Sequence, residues 1–179
     1  LIEEIGRSVG YEAIPALPGR HDVQLGVASE RVISMDRVAD ELVTRGYHEV
    51  VNFGFVSVEQ AQAVTPGTEQ VVLENPISRD LAVMRSSLWP GLLLSAQRNQ
   101  SHQHQRLRLF EIGEQFAVSN GGVTEETVVA GLVSGSQWVE QWGESLRSVD
   151  FYDVKGDVES LLGLAGTVDD VRFVAAEHP

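Results

Sequence analysis

Apolar side chains recur at helical spacing in several stretches of the chain, and this spacing predicts amphipathic helices. We predict helices at 29–45, 58–64, 88–100 and 153–164, and the end of another helix at 1–9. Ser29 is a suitable N-cap for the first of these, and Gly46 is a suitable stop. That helix carries an apolar stripe, which needs a partner surface, made of Val32, Met35, Ala39, Leu42 and Val43. The helix at 88–100 is expected to bury Leu88, Leu92 and Ala96.

Shorter apolar runs predict strands. We place them at 48–56, 70–73, 106–118, 127–134 and 171–175. The turn sequence Asn120-Gly121-Gly122 predicts a hairpin between the third and the fourth of them. Prolines and glycines within 12–28 predict an extended linker. Hairpins mixed with helices favour an α+β fold around an antiparallel sheet.

Composition narrows the class of protein. The chain has 179 residues, 42% of them hydrophobic, and a formal net charge of −13, which is typical of an acidic globular domain. Such a charge argues against a sequence-independent nucleic-acid binder. The chain has no cysteine, which excludes disulfides and thiolate sites. No apolar run approaches the roughly 18 residues of a membrane-spanning helix. Because residue 1 is a leucine, we expect a piece of a longer chain.

Two histidines and three arginines lie close together in the sequence. His102 and His104 would point to different sides of a helix, without a nearby carboxylate to complete a metal site, so we interpret them as a solvated helix end. Arg98, Arg106 and Arg108 form a basic patch in an acidic chain. This patch fits contacts with phosphate or RNA, or a salt-bridged interface.

Two further clusters each allow two interpretations. Trp138 and Trp142 have the spacing of packing anchors on a helix, and a ligand lid is the alternative. An acidic cluster around Lys155 favours helix capping over a hard-cation site, and it comprises Asp150, Asp153, Asp157 and Glu159. The sequence contains no phosphate-binding glycine loop, GxSxG elbow or HExxH motif. Residue chemistry alone therefore predicts no active site.

Eight collinear stretches extend from the first residues to the last predicted helix. They are LIEEI at 1–5, GYEAIP at 10–15, RGYHEV at 45–50, NPIS at 75–78, MRSSLWPGL at 84–92, RLFEIG at 108–113, GLVSG at 131–135 and DFYDVKGD at 150–157. In this order and spacing they resemble the β subunit of bacterial phenylalanine–tRNA ligase. Each motif is modest alone, and their collinearity makes the resemblance specific.

The resemblance implies a fold and a set of partners. Residues 19–179 would form a class II synthetase-like domain, an antiparallel sheet flanked by helices, and 1–18 would end a preceding winged-helix-like domain. The whole enzyme would be a cytoplasmic (αβ)₂ heterotetramer that uses ATP and charges tRNA with phenylalanine. The active copy of the domain would sit on the α subunit. In that family pattern an arginine ends the strand that occupies 107–118 here, and this chain has Ala117 instead.

The resemblance also implies a magnesium site. Glu3 and Glu4 match the last two acids of a family helix that contributes ligands to a Mg²⁺ site, and the aspartate that would precede Leu1 lies outside this sequence. Adjacent glutamates on a helix point about 100° apart, so these two alone make a poor cage. A solvated acidic helix end is the alternative interpretation.

We therefore hypothesise a non-catalytic module that pairs with the α catalytic subunit. The predicted contact surface is the apolar stripe with Val32, Met35, Ala39 and Leu42, together with the helix from Leu88. Two alternatives stay open. One is a free-standing synthetase-like protein that activates an amino acid, and the other is a tRNA-contact module at Arg98–Arg108.

Overall fold

The computed structural model describes residues 1–15, 32–119, 122–166 and 168–176. The chain divides into two compact units, Leu1–Val32 and Ile33–Pro179. The first contains helix α1, Ile2–Val9, which confirms the predicted helix end, followed by a short 3₁₀ turn at Tyr11–Ala13. The predicted linker at 12–28 and the N-cap Ser29 fall largely outside the described residues. Within those ranges, no helix is both long and apolar enough to cross a membrane.

The second unit begins with a helix shorter than the periodicity predicts. Helix α2 spans Met35–Thr44, and the Ser34 hydroxyl caps it by accepting a hydrogen bond from the backbone N–H of Arg37 at 3.4 Å. The prediction of a helix from residue 29 is wrong at Val32–Ser34, which precede the first turn. The apolar periodicity extends past the N-cap residue, so it does not show where the helix begins. The N-cap residue determines that position.

Three more helices follow close to their predicted positions. Helix α3 spans Val58–Val64, α4 spans Trp89–Ser101 and α5 spans Phe151–Ala165. Pro90 lies in the first turn of α4, where a missing N–H leaves no hydrogen bond unmade. The Asp150 carboxylate accepts hydrogen bonds from the N–H groups of Tyr152 and Asp153 and caps α5. Asp153 in turn accepts a hydrogen bond from the Asp150 N–H, so the predicted capping role is confirmed for Asp153. The same prediction is wrong for Asp157, which is buried and binds Arg45, Tyr47 and Arg108 instead.

The described strands form two small sheets. A three-stranded sheet has the order β1–β4–β5, with β1 at His48–Glu49, β4 at Leu107–Ser119 and β5 at Gly122–Ser134. The β4–β5 pair is an antiparallel hairpin, as predicted, although Asn120 and Gly121 of its turn lie outside the described residues. Strand β1 pairs with β4 in parallel, with Glu49 opposite Phe110.

Three strand predictions are wrong. The predicted strand at 48–56 is divided between β1 and a separate strand β2, Phe55–Val56, which pairs with β3, Val83–Met84. In the stretch 70–73, Val72 makes a single bridge to Val83. Residues 171–176 have no strand pairing among the described residues. Each of these segments has the apolar alternation of a strand, but a strand also requires a neighbour with free backbone groups.

Alternate residues of β4 face two different layers. Leu107 and Leu109 pack with Leu92 and Ala96 of α4 and with Leu88 just before it, which confirms the predicted buried face. Phe110 belongs to the opposite layer, where it packs with Leu42 of α2 and with Tyr47. Because side chains alternate along a strand, one long strand supplies both cores.

Candidate functional site

The apolar stripe of α2 is divided between the core and the surface. Leu42 is 4% exposed and packs against Tyr47 and Phe110. The prediction that Leu42 contacts a partner subunit is therefore wrong, since its face is already covered by β4 and α5. Met35 and Val43 lie at the surface, and so does Val32, which precedes the helix.

Helix α4 also has two apolar faces. Its inward face is fully used in the core, as described above. Leu93 and Leu94 remain about half exposed and line an open groove of about 510 Å³ with residues of α3 and β5. An interface at α4 would therefore use these two side chains, and Leu88 contributes to the core only.

The most exposed apolar side chains near the sheet lie just after β1. Val51 is 91% exposed and Phe53 is 74% exposed. Strand β1 is an edge strand that pairs with β4, and no other strand among the described residues pairs with its second side. Between the two exposed residues, Asn52 points inward and donates a hydrogen bond from Nδ2 to Glu111 Oε2 at 2.7 Å. This inward anchor holds Val51 and Phe53 in an outward position, because successive side chains of extended backbone face opposite sides.

A buried ion pair lies below this segment. Arg85 Nη1 donates to Glu111 Oε1 at 2.5 Å, and Arg85 Nε donates to the Glu114 carbonyl at 2.8 Å. Ser95 Oγ donates to Asn52 Oδ1 at 2.8 Å and extends the network to α4. Arg85 and Glu111 are buried, with side chains 7% and 3% exposed. This cluster of Asn52, Arg85, Ser95 and Glu111 is called the closed network below.

A second buried cluster lies on the opposite side of β4. Asp157 of α5 accepts hydrogen bonds from Arg45 Nη1 at 2.9 Å, from Tyr47 Oη at 2.6 Å and from Arg108 Nη1 at 3.0 Å. Burial and the hydrogen bond to Asp157 raise the pKa of Tyr47 well above its usual range. Glu41 accepts hydrogen bonds from the Ser160 hydroxyl and from Arg45 Nε, and these bonds lower the pKa of the Glu41 carboxyl.

The predicted basic patch is not a single surface. Arg98 is exposed on α4, whereas Arg108 is buried and bound to Asp157. Arg106 is half-buried and donates from Nη2 to the Gln137 carbonyl at 3.2 Å. The Nε atoms of both Arg106 and Arg108 are buried and have no hydrogen-bond partner in the described part of the chain. Burial and the positive charge of Arg108 lower the pKa of Arg106.

The other candidate residues remain apart. His102 ends α4, and both it and His104 are exposed, so their interpretation as a solvated helix end is confirmed. Trp138 and Trp142 lie in the loop between β5 and α5, and Trp142 is fully exposed, so the predicted packing role on a helix is wrong for it. Arg147 pairs with Asp153 at 2.6 Å and lowers the pKa of that carboxyl to about 2.

Glu3 and Glu4 lie exposed in the first turn of α1. Across the described ranges, no group of three histidine, aspartate or glutamate side chains is arranged to hold a metal ion. Glu3 and Glu4 are adjacent on α1, so their side chains point about 100° apart and do not chelate one Mg²⁺ ion by themselves. Ala117 lies exposed near the turn of the β4–β5 hairpin.

Sequence reasoning missed the two buried clusters. In the sequence Arg108 belongs to the basic patch and Asp157 to the acidic cluster around Lys155, and no motif indicates a role for Arg85 or Glu111. A signal was present, because Arg108 and Glu111 interrupt the apolar run Leu107–Ile112 at positions that a long strand buries. Buried charges of this kind need partners from elsewhere in the fold.

Comparison with known proteins agrees with this architecture. The model of the family described as "Phenylalanyl tRNA synthetase beta chain CLM domain" matches residues 14–179. The phenylalanine–tRNA ligase β subunit of Methylococcus capsulatus is 51% identical over 99% of this chain, and that of Pseudomonas fluorescens is 40% identical over 100% of it. The chain spans 22% and 23% of the length of these relatives.

A solved structure shows the same fold at a greater distance. The pyrrolysyl-tRNA synthetase PylSc of Desulfitobacterium hafniense superposes with a TM-score of 0.53 at 17% identity, and the match covers 74% of this chain and 45% of that one. At this identity the likeness concerns the fold alone, and it agrees with the predicted class II synthetase-like α+β architecture. The family match and the close relatives identify the chain as a member of the phenylalanine–tRNA ligase β-subunit family.

Proposed function

We propose that this chain pairs with the α subunit of phenylalanine–tRNA ligase and supports its catalytic domain without performing catalysis itself. The complete enzyme would be a cytoplasmic (αβ)₂ heterotetramer that charges tRNA with phenylalanine at the expense of ATP. Relatives covering the whole chain are named as β subunits of this ligase, which supports the assignment.

The exposure of Val51 and Phe53 beside the open edge of β1 is the observation that carries this proposal. Large apolar side chains next to an unpaired sheet edge are typical of a surface that another chain covers. Burial of each side chain on association contributes about 1.5–3 kcal/mol. The exposed Met35 and Val43 of α2 offer further apolar area.

Pairing can be tested with the double variant Val51→Ser/Phe53→Ser in the complete β subunit. Both residues are exposed in the free chain, so we expect folding to be unchanged and the affinity for the α subunit to fall at least about tenfold. Sedimentation velocity of the mixed subunits measures the loss. Val123→Ser is the matched control, since Val123 is an exposed valine near the far end of the β4–β5 hairpin. Unchanged assembly of the double variant would contradict the proposed surface.

The proposed lack of catalysis is supported by the position of Ala117. A methyl group cannot bind a phosphate, whereas the arginine of the family pattern offers a guanidinium fork for the α-phosphate. Pyrophosphate exchange with ATP and phenylalanine tests this directly. We expect no exchange by the β chain alone, and exchange that rises in proportion to its concentration would instead favour a free-standing amino-acid-activating protein.

We further propose that Glu3 and Glu4 supply part of a magnesium site that other groups of the assembled enzyme complete. The support is their exposure on one helical turn and the preference of Mg²⁺ for carboxylate oxygen. In the assembled enzyme, Glu3→Gln/Glu4→Gln should reduce the rise in melting temperature that Mg²⁺ produces. Glu12→Gln, an exposed glutamate in the adjacent 3₁₀ turn, is the control. An equal Mg²⁺ response in all three proteins would exclude this contribution.

We also propose a domain boundary near residue 18, between the end of a winged-helix-like domain and the synthetase-like domain at 19–179. The division of the chain into units at Val32 is compatible with a boundary in this part of the sequence. Limited proteolysis of the complete β subunit should cut within the linker predicted from the prolines and glycines of 12–28, and N-terminal sequencing of the products locates the cut. Cleavage inside 35–165 at an equal rate would contradict a separate synthetase-like domain.

A further inference from the structure

A small cavity lies between the first residues of β4 and the loop that follows β5. Its volume is about 260 Å³. The residues that matter for its chemistry are Arg45, Arg106, Arg108, Gln137, Trp138 and Asp157. We call it the arginine cavity. Three guanidinium groups against one carboxylate give its lining a net positive charge within an acidic chain.

Two guanidinium N–H groups of residues that line this cavity have no acceptor in the described part of the chain. Arg108 is 5% exposed, and its Nη atoms are bound to Asp157 and Gln137, but its Nε–H has no partner within the described residues. Arg106 bonds the Gln137 carbonyl through Nη2, and its buried Nε–H is also without a partner. Buried donors without acceptors are rare in folded proteins and call for a bound group.

The charges around these donors leave room for an anion. Asp157 already accepts from Arg45, Tyr47 and Arg108, so its two oxygens are used. Glu41 is bound to Arg45 and Ser160. Arg106 forms no ion pair with any described acidic side chain, and its pKa is lowered by burial and by the charge of Arg108. An anion between the two arginines would relieve this repulsion.

We propose that the arginine cavity binds one phosphate group, held by the guanidinium groups of Arg106 and Arg108. Arginine presents several N–H donors in a fork that matches phosphate oxygens. A volume of about 260 Å³ is below the range of about 300–1,000 Å³ for drug-sized ligands, so a single small anion fits better than a whole nucleotide. The group is either a free phosphate or one phosphodiester of an RNA strand. This site goes beyond the proposed pairing with the α subunit and does not depend on it.

Isothermal titration of the chain with inorganic phosphate at constant ionic strength tests the proposal. We expect saturable binding, and Arg106→Gln should weaken it by about tenfold to a hundredfold, because charge-assisted hydrogen bonds are lost. Arg106→Lys keeps the charge without the fork and should lie between these two proteins. Arg98→Gln, at an exposed arginine of α4, is the matched control and should bind as the unmodified chain does.

Folding of each variant is checked by circular dichroism and urea unfolding. Arg106 is a better position for this test than Arg108, because Arg108 binds the buried Asp157 carboxylate and Arg106 does not. A second arm titrates a short single-stranded RNA and then adds phosphate as a competitor. RNA binding that is lost in Arg106→Gln and reversed by phosphate identifies a phosphodiester, and phosphate binding without RNA binding identifies a free anion. Equal binding by the unmodified chain and Arg106→Gln, or no saturable binding, would overturn the proposal.

Discussion

The closed network and the arginine cavity are two buried charged regions that flank the same strand. In the closed network Arg85 and Glu111 pair at 2.5 Å, Asn52 donates to Glu111, and Ser95 donates to Asn52. In the arginine cavity Arg108 also has a buried carboxylate partner, Asp157, but donors of two arginines remain free within the described ranges. The two regions thus have similar burial and chemistry and differ in how completely their donors are used.

This difference separates a structural role from a binding role. In the closed network no fully buried side-chain N–H lacks an acceptor within the described residues, so none is left to hold a ligand. A cluster that has donors without acceptors and a net positive charge is able to bind an anion. We therefore expect substitutions in the closed network to change stability alone, and substitutions in the arginine cavity to change both stability and anion binding.

Breaking the closed network should have the largest effect. Glu111→Ala leaves Arg85 buried without its partner, and the loss of one member of a buried ion pair costs about 3–5 kcal/mol of the free energy of unfolding. Urea denaturation measures this loss. Glu126→Gln, on the exposed side of β5, is the control and should change stability by less than about 0.5 kcal/mol. If both variants unfold at the same urea concentration, the closed network is not a major source of stability.

Adding a methyl group beside Arg85 of the closed network should have the next largest effect on stability. A Cβ at Gly113 would contact Arg85 Nη2 closely, and the two hydrogen bonds of that guanidinium prevent it from moving away. We expect Gly113→Ala to cost about 1–3 kcal/mol. Gly131→Ala on the neighbouring strand is the matched control, because its Cβ would meet the Tyr47 ring at an ordinary 3.6 Å. A smaller loss for Gly113→Ala than for Gly131→Ala would show that Arg85 is free to move.

The hydrogen bond from Tyr47 to Asp157 tests the contribution of the second buried cluster, beside the arginine cavity. Tyr47→Phe removes one donor to Asp157 and should cost about 2 kcal/mol at neutral pH. Because the folded-state pKa of Tyr47 is raised, its contribution is present below the unfolded value near 10 and is lost as the pH rises above it. The free energy of unfolding of the unmodified chain should therefore fall by roughly 1 kcal/mol more per pH unit above pH 10 than that of Tyr47→Phe.

Urea unfolding between pH 9 and pH 11 measures this slope. Tyr152→Phe removes an exposed hydroxyl and should keep the slope of the unmodified chain. Parallel curves for the unmodified chain and Tyr47→Phe would contradict the coupling between Tyr47 and Asp157.

The ion pair between the half-exposed Arg147 and Asp153 provides the smallest effect and a reference for both regions. Hydrogen bonds from Arg147 lower the pKa of Asp153 to about 2 from an ordinary 3.8. The stability that this pair contributes is present above pH 4 and is lost as the pH falls toward 2. A carboxyl chemical-shift titration should return Asp153 toward its ordinary pKa in Arg147→Gln, whereas Arg79→Gln should leave it unchanged. An unchanged Asp153 titration in Arg147→Gln would assign the lowered pKa to another group.

The helices α3, α4 and α5 and the long hairpin strands were predictable, and the two-residue strands were not. The hairpin strands and helix α4 have both the apolar pattern and the local signals of their ends, such as Pro90. The segment 48–56 has the apolar pattern of one strand, yet Asn52 in its middle points inward and binds Glu111. The two ends of the segment belong to two different sheets. A pattern along the chain specifies which side chains are apolar, but the choice of backbone partner depends on distant strands.

The candidate sites show the same limit. The apolar stripe of α2 was visible in the sequence, but periodicity alone does not show that Leu42 would be covered by Phe110 while Met35 stays exposed. Arg45, Tyr47, Arg108 and Asp157 are separated by up to 112 residues along the chain, so no local motif links them.

The sequence by itself determined the α+β class, the buried face of α4, the hairpin and the membership in the β-subunit family that its collinear motifs indicated. Local propensity, periodicity and ordered motifs are properties of the chain alone. The tertiary structure decided which charges are buried together, which donors at Arg106 and Arg108 stay unused, and which apolar residues face outward. These features depend on contacts between residues far apart in the chain, and only packing in three dimensions brings them together.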